Sequence, residues 1–85
     1  MTSDAPHTPD SLMPIILAAF QVCFPGQEIT PEEDFFNLGG DSLKAQEFCL
    51  ALEQHLSGEI HPSLLFEASS PDEIAEFLAS TLPAA

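Results

Sequence analysis

Apolar residues in this chain return at steps of three and four, and no segment sustains a two-residue alternation. That periodicity suits amphipathic helices and gives no signal for half-buried strands. The first stripe is Leu12, Ile15, Ile16, Ala19, Phe20 and Cys23. Asp10 or Ser11 is the expected N-cap, with Pro14 in the first turn, where its missing N–H costs little. Phe24-Pro25-Gly26 ends this helix, because the residue before proline avoids helical angles and glycine suits the exit. A second stripe, Ala45, Phe48, Cys49, Leu52 and Leu56, predicts a helix from Ser42 to about Leu56, with Asp41 as N-cap and Ser57-Gly58 as the stop. Leu64-Leu65-Phe66 reads as a brief third helix. Ser70-Pro71-Asp72-Glu73 has capping-box spacing with proline at the first helical position, and opens a last helix facing inward through Ile74, Phe77, Leu78 and Leu82.

The expected fold is therefore all-α: a small four-helix bundle of three longer helices and one short one, with a long ordered loop between helices 1 and 2. That loop, Pro25 to Asp41, is long for a helix connection. Thr30-Pro31-Glu32-Glu33 predicts a short helical turn over Pro31–Phe36, and Phe35, Phe36 and Leu38 are candidates to pin the loop to the core. Eighty-five residues suit one domain. The reading divides it into a loose leader over 1–8, a single helical domain over 9–83 and a tail over 84–85.

Charge narrows the function classes. Lys44 is the only lysine or arginine against 14 acidic residues, for a net charge of −13. Nucleic-acid binding needs a lysine and arginine footprint and is excluded; binding to an anionic membrane surface is disfavoured for the same reason. A basic protein partner is favoured, since attraction at long range speeds encounter. The acidity does not signal disorder, because 45% of the residues are hydrophobic. No apolar run approaches the roughly 20 residues of a membrane span, and the first ten residues lack the features of a signal peptide. The expected location is cytoplasmic and the expected state a monomer. Cys23 and Cys49 are too few for a disulfide framework and read as two buried thiols.

Gly40-Asp41-Ser42-Leu43 matches the name-giving motif of the GDSL hydrolases, whose nucleophilic serine sits on a strand-to-helix turn. Here no strand precedes the serine, and His7, His55 and His61 are poorly placed to serve as its base. Cys23, Cys49, His55 and His61 lack metal-ligand spacing, so no metal site is expected. The chain does not read as an enzyme.

Modification of Ser42 fits the local physics better. Two glycines leave space around it, Asp41 caps the helix, and Ser42 becomes its first residue with the hydroxyl exposed. Backbone N–H groups left unpaired at a helix start, and the positive end of its dipole, favour an anion there. A phosphodiester on Ser42 would be at home, with Lys44 two residues on. Taken alone, the same residues also suit an ordinary helix start in an unmodified acidic adaptor that binds a basic partner.

Asp34-Phe35-Phe36-Asn37-Leu38-Gly39-Gly40-Asp41-Ser42-Leu43 closely resembles the modification motif of phosphopantetheine-dependent carrier proteins, the acyl and peptidyl (thiolation) carriers. Leu64-Leu65-Phe66-Glu67 resembles the family's short third helix, and Ser70-Pro71-Asp72-Glu73-Ile74-Ala75 the start of its last. The resemblance spans roughly Leu12 to Ala79. It implies a covalent 4′-phosphopantetheine arm on Ser42, taken from coenzyme A by a phosphopantetheinyl transferase, with Asp41 and Gly40 forming the attachment turn. It implies an acyl, aminoacyl or peptidyl group held on the arm as a thioester. An acyl- or aminoacyl-loading ligase and downstream biosynthetic enzymes are then the further partners. Leu43, Glu47, Leu50 and Gln54 share one side of helix 2. The resemblance points to that face for partner binding, with Leu65 nearby, and Lys44 joins the expected partner-binding set. Fatty-acid carriers usually have alanine or a related residue where this chain has Gly40, and an acid where it has Lys44, so the form is closer to peptidyl and aminoacyl carriers.

Overall fold

The structure, a computed structural model, describes residues 8–56 and 60–81. Four helices follow one another: α1 Pro9–Cys23, α2 Ser42–Glu53, α3 Leu64–Glu67 and α4 Pro71–Thr81. There is no strand among the described residues, so the chain is the small all-α bundle expected. α1 packs against both α2 and α4. No helix among the described residues is long and apolar enough to cross a membrane. Residues 1–7 of the leader expected over 1–8, the Ser57-Gly58 stop, the inward Leu82 and the tail lie outside the described residues, while Thr8 belongs to the start of α1.

α1 begins earlier than Asp10 or Ser11. Thr8 is its N-cap: the Thr8 hydroxyl accepts from the Ser11 amide at 3.1 Å, and the Ser11 hydroxyl accepts from the Thr8 amide at 3.1 Å. Two orphan donors are thus satisfied reciprocally, with Pro9 at the first position. In consequence Pro14 falls inside the helix rather than in its first turn. Its missing N–H deprives the Asp10 carbonyl of an intrahelical donor. Leu12, Ile16, Ala19, Phe20 and Cys23 are buried, and Ile15 is half-buried against them. Phe24 closes the helix with its amide on the Phe20 carbonyl at 2.8 Å, and Gly26 takes φ +84° just beyond.

The loop holds no helix over Pro31–Phe36. A turn at Thr30–Glu33 (Glu33 amide to Thr30 carbonyl, 3.1 Å) is followed by turns over 35–39. The capping residue is Asp34 rather than Thr30. Its Oδ1 accepts from the Phe36 and Asn37 amides at 2.8 and 3.1 Å, which bends the chain before a helix can propagate. Of the three expected pins, Phe35 enters the core completely, Leu38 is half-buried, and Phe36 remains at the surface. The Phe35 ring meets Phe20, Phe24 and Phe48 at centroid distances of 5.6, 5.2 and 5.6 Å, so a loop residue joins α1 to α2 at the bundle centre. The pairs with Phe20 and Phe24 are edge-on, and such aromatic pairs add about 0.5–1.5 kcal/mol each beyond area burial.

α2 stops at Glu53, short of Leu56. The His55 and Leu56 amides both turn back to the Leu52 carbonyl, at 3.0 and 2.9 Å, and the Glu53 carboxylate accepts from the Ile60 amide at 2.8 Å. Leu56 is buried nonetheless. The cap of α4 is shared by two residues. Ser70 Oγ accepts from the Glu73 amide at 3.2 Å, while Glu73 Oε1 accepts from the Ser69 amide at 3.3 Å.

Candidate functional site

Three glycine-loop features place Ser42. Gly39 adopts φ +108°, which a side chain would strain. Gly40 is held by its amide on the Phe35 carbonyl at 3.1 Å. A Cβ at Gly40 would meet the buried Phe35 ring and lie 2.7 Å from the Phe35 carbonyl oxygen. There is therefore no space for a side chain at Gly40. Asp41 then takes an extended conformation and accepts the Lys44 amide on Oδ1 at 2.9 Å, an N-cap in the expected position.

Ser42 is the first residue of α2 and is exposed. The Asp41 carboxylate takes the Lys44 amide and the Asp41 carbonyl takes the Ala45 amide at 2.8 Å. The amides of Ser42 and Leu43 precede the first intrahelical acceptor. A phosphodiester on the Ser42 hydroxyl would meet open solvent and the positive end of the helix, so the residues present fit that group.

Among the residues expected to face a partner, Leu43 and Leu50 are 67% and 61% exposed, and Glu47 is exposed between them. They share one flank of α2, as their spacing requires. Lys44 is turned elsewhere. Its ammonium donates to the Cys23 carbonyl at 3.1 Å and stands 5.5 Å over the Phe24 ring, so it stabilises the C-terminal end of α1. Leu65 requires a second correction: it is 1% exposed and belongs to the core. The exposed residue of α3 is Phe66, at 81%, stacked on Phe36 with centroids 5.7 Å apart and planes 18° from parallel. Sequence reasoning missed this pair. One turn of α3 has no periodicity from which to choose the outward residue.

The Asp34 carboxyl ties the site to the rest of the bundle. Its Oδ2 accepts from Ser69 Oγ at 2.8 Å, and the Phe35 amide donates to the Ser69 carbonyl at 2.7 Å. The Ser69 hydroxyl is the chief cause that holds the Asp34 pKa below the usual value; burial opposes it, and the Asn37 and Phe36 amides add to the lowering. The two thiols are buried; desolvation, with a nearby glutamate, raises Cys23 and pushes Cys49 up to about 11. Among the described residues no three of His, Cys, Asp and Glu come together as a metal cluster.

Comparison with known proteins bears on this arrangement directly. The family described as "Phosphopantetheine attachment site" matches residues 10–78. Over 75 residues, 88% of this chain, the sequence is 35% identical to a "Probable non-canonical nonribosomal peptide synthetase (NRPS) CymA" of Salinispora arenicola (strain CNS-205). The match covers 1% of that relative's length. No solved structure matches. The chain belongs to the phosphopantetheine-attachment family: it is a carrier domain, not itself catalytic, whose cofactor is covalent phosphopantetheine.

Proposed function

We infer that Ser42 is the attachment point and that the domain holds an acyl, aminoacyl or peptidyl group for the enzymes of a biosynthetic assembly, of the nonribosomal peptide type. The observation that carries this reading is the exposed Ser42 at the first position of a helix capped by Asp41. When bound, phosphopantetheine supplies a flexible arm ending in a thiol that carries its cargo as a thioester.

The chain's own residues supply the rest. Asp41 fixes the helix start, so that the Ser42 oxygen is presented outward. Gly39 and Gly40 let the backbone turn tightly against Phe35 just before it. The amides of Ser42 and Leu43, free of intrahelical acceptors at the helix start, would favour the charge of a phosphodiester held there. Loading requires a phosphopantetheinyl transferase and coenzyme A; the Ser42 Oγ–phosphorus bond forms as the pyrophosphate bond of coenzyme A breaks, adenosine 3′,5′-bisphosphate leaves, and the hydroxyl proton passes to a base of the transferase or to water. Leu43, Glu47 and Leu50 form the α2 flank over which the transferase, the loading ligase and the downstream enzymes approach. The charge of −13 favours fast, weak encounters with basic-rimmed partners.

Incubation with coenzyme A, magnesium and a broad-range transferase tests the reading by intact mass. The parent gains one phosphopantetheine, and Ser42→Ala gains none. Equal labelling of Ser42→Ala would refute the site. A folded parent that stays unlabelled would favour an unmodified acidic adaptor instead.

A further inference from the structure

Three side chains of this protein are strong nucleophiles that keep an acyl group once they take it: the amine of Lys44, its only lysine, and the thiols of Cys23 and Cys49. The fold gathers all three at the seam between α1 and α2. Lys44 Nζ donates to the Cys23 carbonyl at 3.1 Å and stands 5.5 Å over the Phe24 ring. Cys23 Sγ donates in return to the Lys44 carbonyl at 3.4 Å, so the two residues clasp each other reciprocally. Cys49 is buried, within electrostatic reach of Cys23. Around α2, at about 100° per residue, Lys44 leaves the helix about 200° from Ser42.

A thioester is open to attack by amines. A flexible arm on Ser42 can fold back over the first turns of α2, which makes an encounter with an amine there intramolecular and raises its effective concentration. The amine lone pair would add to the thioester carbonyl. A C–N bond forms, the C–S bond breaks, and the thiol of the arm leaves with the proton the amine gives up. The product is an amide on the carrier, and the cargo is lost to the assembly. We propose that the α1–α2 seam protects the cargo from this self-acylation by holding the Lys44 amine on the end of α1. This rests on the carrier reading above. The same seam encloses both thiols, so no strong nucleophile among the side chains of α2 is left open beside Ser42.

The test replaces coenzyme A with acetyl-coenzyme A, so that the transferase installs an acetylated arm on Ser42 in one step. Gln46→Lys supplies the comparison, because Gln46 is exposed one turn along α2 on the side of Ser42. After desalting, parent and variant are held at mildly alkaline pH and then treated with neutral hydroxylamine, which cleaves thioesters and spares amides. Intact mass counts the acetyl that remains, and peptide mapping places it. Acetyl accumulates on the lysine introduced at 46 at least about tenfold faster than on Lys44 of the parent, whose charged hydrogen bond must break before attack. In urea that unfolds the parent, acetylation of Lys44 approaches the rate at the introduced lysine. Equal native rates at the two positions overturn the protection, as does a Lys44 no more reactive in urea. A variant that takes no acetyl at position 46 also overturns it, since an open amine would then be harmless. A folded parent that never takes the acetylated arm overturns the carrier reading itself.

Discussion

Gly40→Ala separates two reasons for a glycine beside the modified serine. If glycine only kept the approach to Ser42 open, alanine would be a mild change, as the resemblance to fatty-acid carriers implies. In this chain the new Cβ points into the Phe35 ring and lies 2.7 Å from the Phe35 carbonyl oxygen. The ring has little room to retreat, because Phe20, Phe24 and Phe48 surround it at centroid distances of 5.2–5.6 Å. Inserting a carbon into a packed site of this kind costs about 1–3 kcal/mol. The lower chain entropy of alanine in the unfolded state returns about 0.4–1 kcal/mol. At mid-range a net loss of about 1.3 kcal/mol remains, which lowers the melting temperature of a domain this size by about 5–10 °C. Circular dichroism melts of the parent and variant measure it. Repeating the substitution in a Phe35→Leu background, which removes the ring, reduces the penalty, with a coupling of about 1 kcal/mol. A Gly40→Ala protein that melts with the parent, or an equal penalty in both backgrounds, would refute the steric argument.

Acid exposes the Asp34 clamp. The folded pKa of Asp34 lies below its usual value, so its contribution is present above the usual carboxylate range and is lost as pH falls through the folded pKa. Urea midpoints from about pH 5 to about pH 2 show an acid-limb decline that is weaker in Ser69→Ala, where the chief cause of the shift is gone; superimposable profiles would remove the clamp from the account. Neither thiol reacts readily with iodoacetamide in the native state near pH 8, since both are buried and a thiol at about 11 is about one part in a thousand thiolate. Urea releases both, and rapid native alkylation counted by mass would contradict their burial. Sodium chloride raises the melting temperature by screening like charges over about 8–10 Å, and a flat series would show that self-repulsion is unimportant.

Much of the domain was legible because its determinants are local. The apolar stripes placed most core residues of α1 and α2, and Ile74 and Leu78 of α4, where Phe77 is only half-buried and Ala75 enters the core instead; Asp41 before Ser42 marked the head of α2, since capping depends on residues only three apart. Where a local signal had a competitor nearby, reading it from the chain alone was less secure. Thr8 with Ser11 started α1 ahead of Asp10, and the Asp34 turn displaced the helix suggested by Thr30 and Glu33.

Side-chain direction in the short elements was decided by tertiary contact. α3 is four residues, about one turn, so nothing in its spacing could tell that Leu65 enters the core and Phe66 faces water. Adjacent Phe35 and Phe36 were equivalent until the hydrogen bonds between Asp34, Phe35 and Ser69 turned one ring into the bundle and the other onto α3. Lys44 was drawn to the end of α1 by a carbonyl and a ring 21 and 20 positions earlier in the chain, respectively. Periodicity and capping act over a turn or two of backbone and determined the helices and the exposed serine; the surface around that serine depends on contacts between residues far apart in sequence, which only the packed bundle brings together.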